Sequence, residues 1–235
     1  MLSIQPDALK HAKPKQLLAH LHTLADELTD VEQTDTPTDT ISQLANELAS
    51  EHILRHHDAS VRLLAACCLS DVLRICAPET PVPAPKLKLV FELFVSQLRG
   101  VRDPKSPSYA RYYYLLERLA MVKAFVLMVD LKCDDLVRSL FETLFDSASA
   151  DHSIRVESAS LDILSTMLEE LDAVPQPLLD AILENLVEPA CTEKPAAHSL
   201  ALALLRRSAA ELHEPLSAFL SACLPTSTAP APTES

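Results

Sequence analysis

Apolar positions recur every three or four residues along nearly the whole chain, and no segment alternates as a half-buried strand would. Leu17, Leu18, Leu21, Leu24 and Leu28 form one stripe. Ile41, Leu44, Ala45 and Leu48 form the next, opened by a cap at Asp39 or Thr40. A third runs from Val61 through Leu64, Cys68 and Val72 to Ile75, capped by Asp58 or Ser60. The stretch Ala77 to Pro85 reads APETPVPAP, and its prolines make it a connector rather than a helix. Beyond it the pattern predicts helices over about 86–98, 108–130, 133–147, 153–171, 176–187, 195–211 and 214–223, with a linker from Val101 to Pro107. The tail from Pro225 has three prolines and no large apolar residue, and is expected to be disordered.

Short connections between so many helices imply pairing. First helices of pairs are expected near 39, 86, 133 and 176, a spacing of roughly 43–47 residues that falls in the range of HEAT or armadillo repeats. The expected fold is all-α: an α-solenoid of about ten helices in HEAT-like pairs. Residues 1–36 read as an N-terminal helix and acidic linker, 37–224 as the repeats and 225–235 as the tail. One echo supports a repeat. Asp58-Ala59-Ser60-Val61-Arg62 returns as Asp151-His152-Ser153-Ile154-Arg155, each at the start of the second helix of a pair. In both copies the polar residue should cap, Val or Ile should enter the core, and Arg should reach an acidic neighbour in the adjoining repeat.

Composition narrows the function. The chain has 235 residues and one glycine, Gly100, where average usage of ~7% would give about 16. Glycine-rich phosphate loops and hairpin-rich β folds are thereby excluded. Gly100 falls at the end of a predicted helix, where a left-handed cap is expected. No continuous apolar run approaches the length of a membrane span. Cys67, Cys68, Cys76, Cys133, Cys191 and Cys223 lack paired CxxC spacing, and the LLAACC stretch reads as reduced thiols in a core. His52, His56 and His57 cluster, but without the glutamate of a zinc-enzyme helix they read as a solvated helix end, not a metal site. No catalytic signature appears, and no cofactor is expected.

Net charge is -13, unevenly spread. The segment from Lys86 to Lys123 holds eight basic residues against Glu92, Asp103 and Glu117, whereas Asp26 to Glu51 holds eight acidic residues and no basic one. Lys86, Lys88, Arg99, Arg102, Lys105, Arg111 and Lys123 are therefore candidates for a surface that meets phosphates or an acidic partner. All four tyrosines lie between Tyr109 and Tyr114, and adjacent helical positions are about 100° apart, so at least one should be partly exposed for recognition.

The run from Val61 to Ile75 followed by Cys76-Ala77-Pro78-Glu79 resembles the N-terminal HEAT region of the cohesin-associated precocious-dissociation-of-sisters family. So do Lys105-Ser106-Pro107 with Arg111 to Glu117, Val122-Lys123, Glu142 to Phe145, Leu178-Leu179-Asp180 near Asn185-Leu186-Val187, and Ala201 to Arg207. The resemblance spans about residues 40–224. It implies a nuclear, chromatin-associated cohesin regulator without enzymatic activity. Its implied partners are the cohesin complex, its kleisin subunit and the wings-apart-like release factor, with any DNA contact indirect or weak and the chain monomeric. The family's Ala-Pro-Asp/Glu-Ala-Pro motif, which receives short peptides from cohesin regulators, is similar to Ala77, Pro78, Glu79, Thr80 and Pro81 here, with Thr80 in place of the alanine. The alternative reading is a phosphate- or DNA-binding helical module using the basic segment 86–123.

Overall fold

The computed structural model describes residues 2–33 and 39–223. The predicted tail, and part of the acidic stretch between the first two stripes, lie outside the described residues. The described residues form fourteen α-helices and two short 3-10 turns, with no strand among them. In order these are α1 (Pro6–Lys10), α2 (Pro14–Thr29), α3 (Asp39–Leu48), α4 (Glu51–Leu54), α5 (Ala59–Cys76), α6 (Ala84–Leu98), α7 (Tyr109–Met121), α8 (Leu127–Asp130), α9 (Asp134–Ser147), α10 (Ile154–Glu170), α11 (Gln176–Leu183), α12 (Ala190–Glu193), α13 (Pro195–Arg207) and α14 (Ala209–Cys223). The number exceeds the ten expected because α1, α4, α8 and α12 are single turns, too short to show a periodic stripe.

The long helices stack in two layers. One runs α2, α5, α7, α10, α13, each packed on the one before. The other includes α6, α9 and α11, again in succession. This is the HEAT-like solenoid: α3 packs on α5 and α6 on α7, and the next helices join through α9, which packs on both α11 and α13. Helix α5 is apolar nearly all round and touches α2, α3, α6 and α7, which explains why Leu63 to Leu69 are all buried.

Three local expectations fail. The helix predicted over 108–130 ends at Met121. Lys123 takes the left-handed conformation (φ 50°), and a 3-10 turn at Ala124–Val126 redirects the chain. That turn places the Phe125 ring 6.0 Å from Phe91 and 6.4 Å from Phe94 on α6, which a straight helix would not do. Helix α13 stops at Arg207 and α14 begins at Ala209, so Pro215 lies inside the last helix rather than at its start. The echo is also out of register. Val61 is the third residue of α5 and fully buried, but Ile154 is the first residue of α10 and 76% exposed, while Val156 fills the core. Arg62 donates to the carbonyls of His56 and His57 in its own repeat rather than to an acidic neighbour.

Gly100 corrects a fourth expectation. It lies in a 3-10 turn, Arg99–Arg102, and its φ is not positive. Glycine is needed there for space: a Cβ would run into the Tyr112 ring.

Candidate peptide-binding connector

The connector leaves α5 at Ala77 and enters α6 at Ala84. Buried Cys76 and Val82 pin its two ends, and Pro78 and Glu79 form its exposed apex, with Ala77, Thr80 and Pro81 half-buried. The Ala77–Pro78 peptide bond is cis. Gln33 Nε2 donates to the Ala77 carbonyl at 2.7 Å, and the Val82 amide donates to Thr80 Oγ1 at 3.3 Å. Thr80, the residue that departs from the family's alanine, thus closes the turn from within. The result is a short, braced arch whose prolines restrict the free state and lower the entropy cost of holding a peptide. Glu79 makes no ion pair among the described residues, so its carboxylate is available to a cation or to backbone amides.

Beneath the arch lies a charged network that periodicity does not announce. Asp71 on α5 is fully buried. Tyr114 donates to its Oδ2 at 2.7 Å, Arg118 Nε lies 3.1 Å from its Oδ1, and Arg74 Nε lies 3.4 Å from the same oxygen. Burial pushes the Asp71 carboxyl pKa up, and the Tyr114 hydroxyl and the two guanidinium groups pull it back. Arg118 also donates to Tyr114 Oη at 2.9 Å and stacks 5.0 Å over that ring. Arg74 Nη2 donates at 2.8 Å to the carbonyls of both Leu28 and Val31. The network joins α2, α5 and α7 under the end of α5 that carries the connector. The signal in the sequence is Asp71 and Arg74, the two charged residues three apart in the second half of a mostly apolar helix; their partners on α7 are beyond local pattern.

The tyrosines serve this packing more than a surface. All four are half-buried. Tyr113 donates to Glu117, Tyr109 stacks on Tyr113, and Tyr112 packs against Gly100.

The seven basic candidates do not form one surface. Lys86 bonds the side chain and carbonyl of Asn46 on α3, and Arg111 pairs with Asp26 on α2 at 2.9 Å. Lys88 lies beside the start of α9 and Lys123 beside α10. Only Arg99, Arg102 and Lys105 converge, around one depression at the far end of α6 from the connector.

Cys67, Cys68 and Cys76 behave as core, whereas Cys133 and Cys191 are half-buried. Burial pushes the Cys67 thiol up to about 12 and Cys76 up to about 11, with Cys68 raised as well. Among the described residues no group of His, Cys, Asp and Glu could hold a metal ion, and no helix is long and apolar enough to cross a membrane. Of the three clustered histidines, His56 accepts a hydrogen bond from the Asp58 amide and His52 contacts Ser50.

The family model "Sister chromatid cohesion protein PDS5 protein" matches residues 15–235. The chain is 41% identical over 183 residues to sister chromatid cohesion protein PDS5 homolog B-B of Xenopus laevis, covering 77% of this chain and 12% of the relative. It is 40% identical over 183 residues to human PDS5 homolog B, covering 77% of this chain and 13% of that protein. Against PDS5 homolog A of Gallus gallus it is 44% identical over 167 residues, which are 70% of this chain and 13% of the relative. The chain therefore spans only about an eighth of the length of these relatives. Among solved structures, "Structure of the Pds5-Scc1 complex and implications for cohesin function" is similar with a TM-score of 0.77 and 26% identity, covering 90% of this chain and 33% of that one. The HEAT-like pairing, the long run of matching segments and these likenesses agree: the chain belongs to the PDS5 family of sister chromatid cohesion proteins.

Proposed function

We propose that this chain is a non-catalytic HEAT-repeat scaffold of the cohesin system, acting in the nucleus on chromatin to regulate sister chromatid cohesion. Its contribution is to receive short peptide segments of cohesin regulators, the wings-apart-like release factor among them, on the arch Ala77 to Pro81. The observation that carries this reading is the braced apex: Pro78 and Glu79 are exposed on a connector tied at both ends by buried residues and at Ala77 by Gln33. Such a site offers an unpaired carboxylate and rigid apolar ring edges on a braced backbone. The similar solved structure is titled as a complex with Scc1, which supports a cohesin setting; kleisin binding by this chain is part of the same proposal.

The test is a pull-down with overlapping synthetic peptides that tile the release factor, against wild type, Glu79→Lys and Pro78→Ala. Wild type retains at least one peptide and Glu79→Lys loses it. Retention by both variants would remove the arch from the mechanism.

A further inference from the structure

A second recognition surface lies at the opposite end of α6. A 15-residue helix is about 22 Å long, so it stands roughly that far from the arch. It has two adjoining halves. The first is a depression of about 500 Å³ lined by Arg99, Arg102 and Lys105. The second is an apolar cleft of about 420 Å³ between the α9–α10 loop and α13, lined by Leu144, Leu161, Leu200 and Ala203 among others. Ser149 lines both, and Gly100 and Val101, successive residues, line one each.

Three features separate this region from ordinary surface. First, its cations are unspent. Arg74, and Arg111 and Arg118 of the basic run, pair with carboxylates, whereas Arg99, Arg102 and Lys105, like Lys88 and Lys123, make no ion pair among the described residues, and the first three share one concavity. Asp103 and Asp151 also line the depression, and Asp103 Oδ1 already accepts the Lys105 amide. In a chain of net charge -13, a concave site where cations outnumber carboxylates is the exception. Second, Ile154 stands on the lip of the apolar cleft at 76% exposure, a branched side chain held in water. Third, the walls are fixed. His152 Nε2 bonds the Val101 carbonyl at 2.9 Å, and Tyr112 packs on Gly100.

We propose that this composite site binds an acidic peptide carrying one large apolar anchor. The anchor enters the cleft against Ile154 and Leu200, and its acidic neighbours lie over Arg99, Arg102 and Lys105. Charge complementarity selects this occupant. Duplex DNA fits less well, because its affinity grows with the number of phosphates neutralised, and three cations in a depression shared with two carboxylates neutralise few. The cleft, with Glu157 and Arg206 at its edge, is large enough for one aromatic or branched side chain. This surface is independent of the arch.

A random decapeptide library displayed on phage is selected on the wild-type chain, and recovered peptides are synthesised with a fluorescent label for anisotropy titration. The expected class pairs an apolar residue with acidic neighbours. Its affinity falls at least tenfold in both Arg102→Glu and Ile154→Asp, and stays unchanged in Glu79→Lys. Both substituted positions are exposed, and Lys105→Glu with Ser158→Trp form a second pair should either variant lose its thermal transition. The proposal is overturned if no such peptide emerges, if either half can be altered without loss, or if a 20-base-pair duplex displaces the peptide.

Discussion

The two ends of α6 use charge in opposite ways. At the N-terminal end, under the arch, charge is internal. Asp71, Arg74 and Arg118 are paired with one another, and Lys86 is bonded to Asn46. The connector itself presents proline, backbone and the single carboxylate of Glu79 to solvent. At the C-terminal end, Arg99, Arg102 and Lys105 remain open to solvent around a turn that Gly100 and Tyr112 hold tight. A paired charge in low dielectric holds helices in place but is lost to partners; an unpaired charge at a rim does the reverse. The excess of basic residues over 86–123 is thus two populations with different work.

The comparison breaks most visibly at Asp71. Asp71→Ala leaves Arg74 and Arg118 without their buried partner and should cost about 3–5 kcal/mol, read as a lowered midpoint in urea. Arg102→Ala, at the other end, should fall within about 0.5 kcal/mol of wild type. Equal effects would erase the distinction between internal and surface charge. Next comes Gly100→Ala. Its methyl group has no room beside Tyr112, so a loss of roughly 1–3 kcal/mol is expected, reduced when Tyr112→Leu is added; an additive double variant would show that the contact is not the cause.

A smaller effect sharpens the view of the core under the arch. Thiolate is the reactive form, and burial holds Cys67 at about 12 and Cys76 at about 11, with Cys68 raised too. At pH 8 these three thiols should resist iodoacetamide until the chain unfolds, while half-buried Cys133 and Cys191 are modified sooner, as site-resolved mass spectrometry would show. Rapid modification of Cys76, which adjoins Ala77, would mean that the arch opens from the core.

Much of the fold is legible in the residue pattern, because a helix that buries one face must repeat apolar positions. Pair starts expected near 39, 86, 133 and 176 stand at 39, 84, 134 and 176. What escaped the pattern depends on contacts distant in sequence. Nothing local marks Lys123 for a left-handed turn; the reason is Phe125 reaching Phe91 and Phe94 on α6. The echo misplaced Ile154 because two helices with similar openings start at different points of the same motif. Gly100 was legible as a special position but not as the right kind, since the ring that excludes its Cβ comes from α7. The arch is legible as a rigid connector, whereas Gln33, which braces it from 44 residues away, and the α7 partners of Asp71 are not. Of the basic run, the sequence conveys number; only the fold separates Arg99, Arg102 and Lys105 from Lys86 and Arg111.

The most direct test of the central claim is a calorimetric titration of the retained release-factor peptide into Glu79→Lys and Arg102→Glu side by side. Glu79→Lys should bind with at least a tenfold weaker Kd, and Arg102→Glu with an unchanged Kd. Wild-type affinity in Glu79→Lys, with loss confined to Arg102→Glu, would contradict the claim.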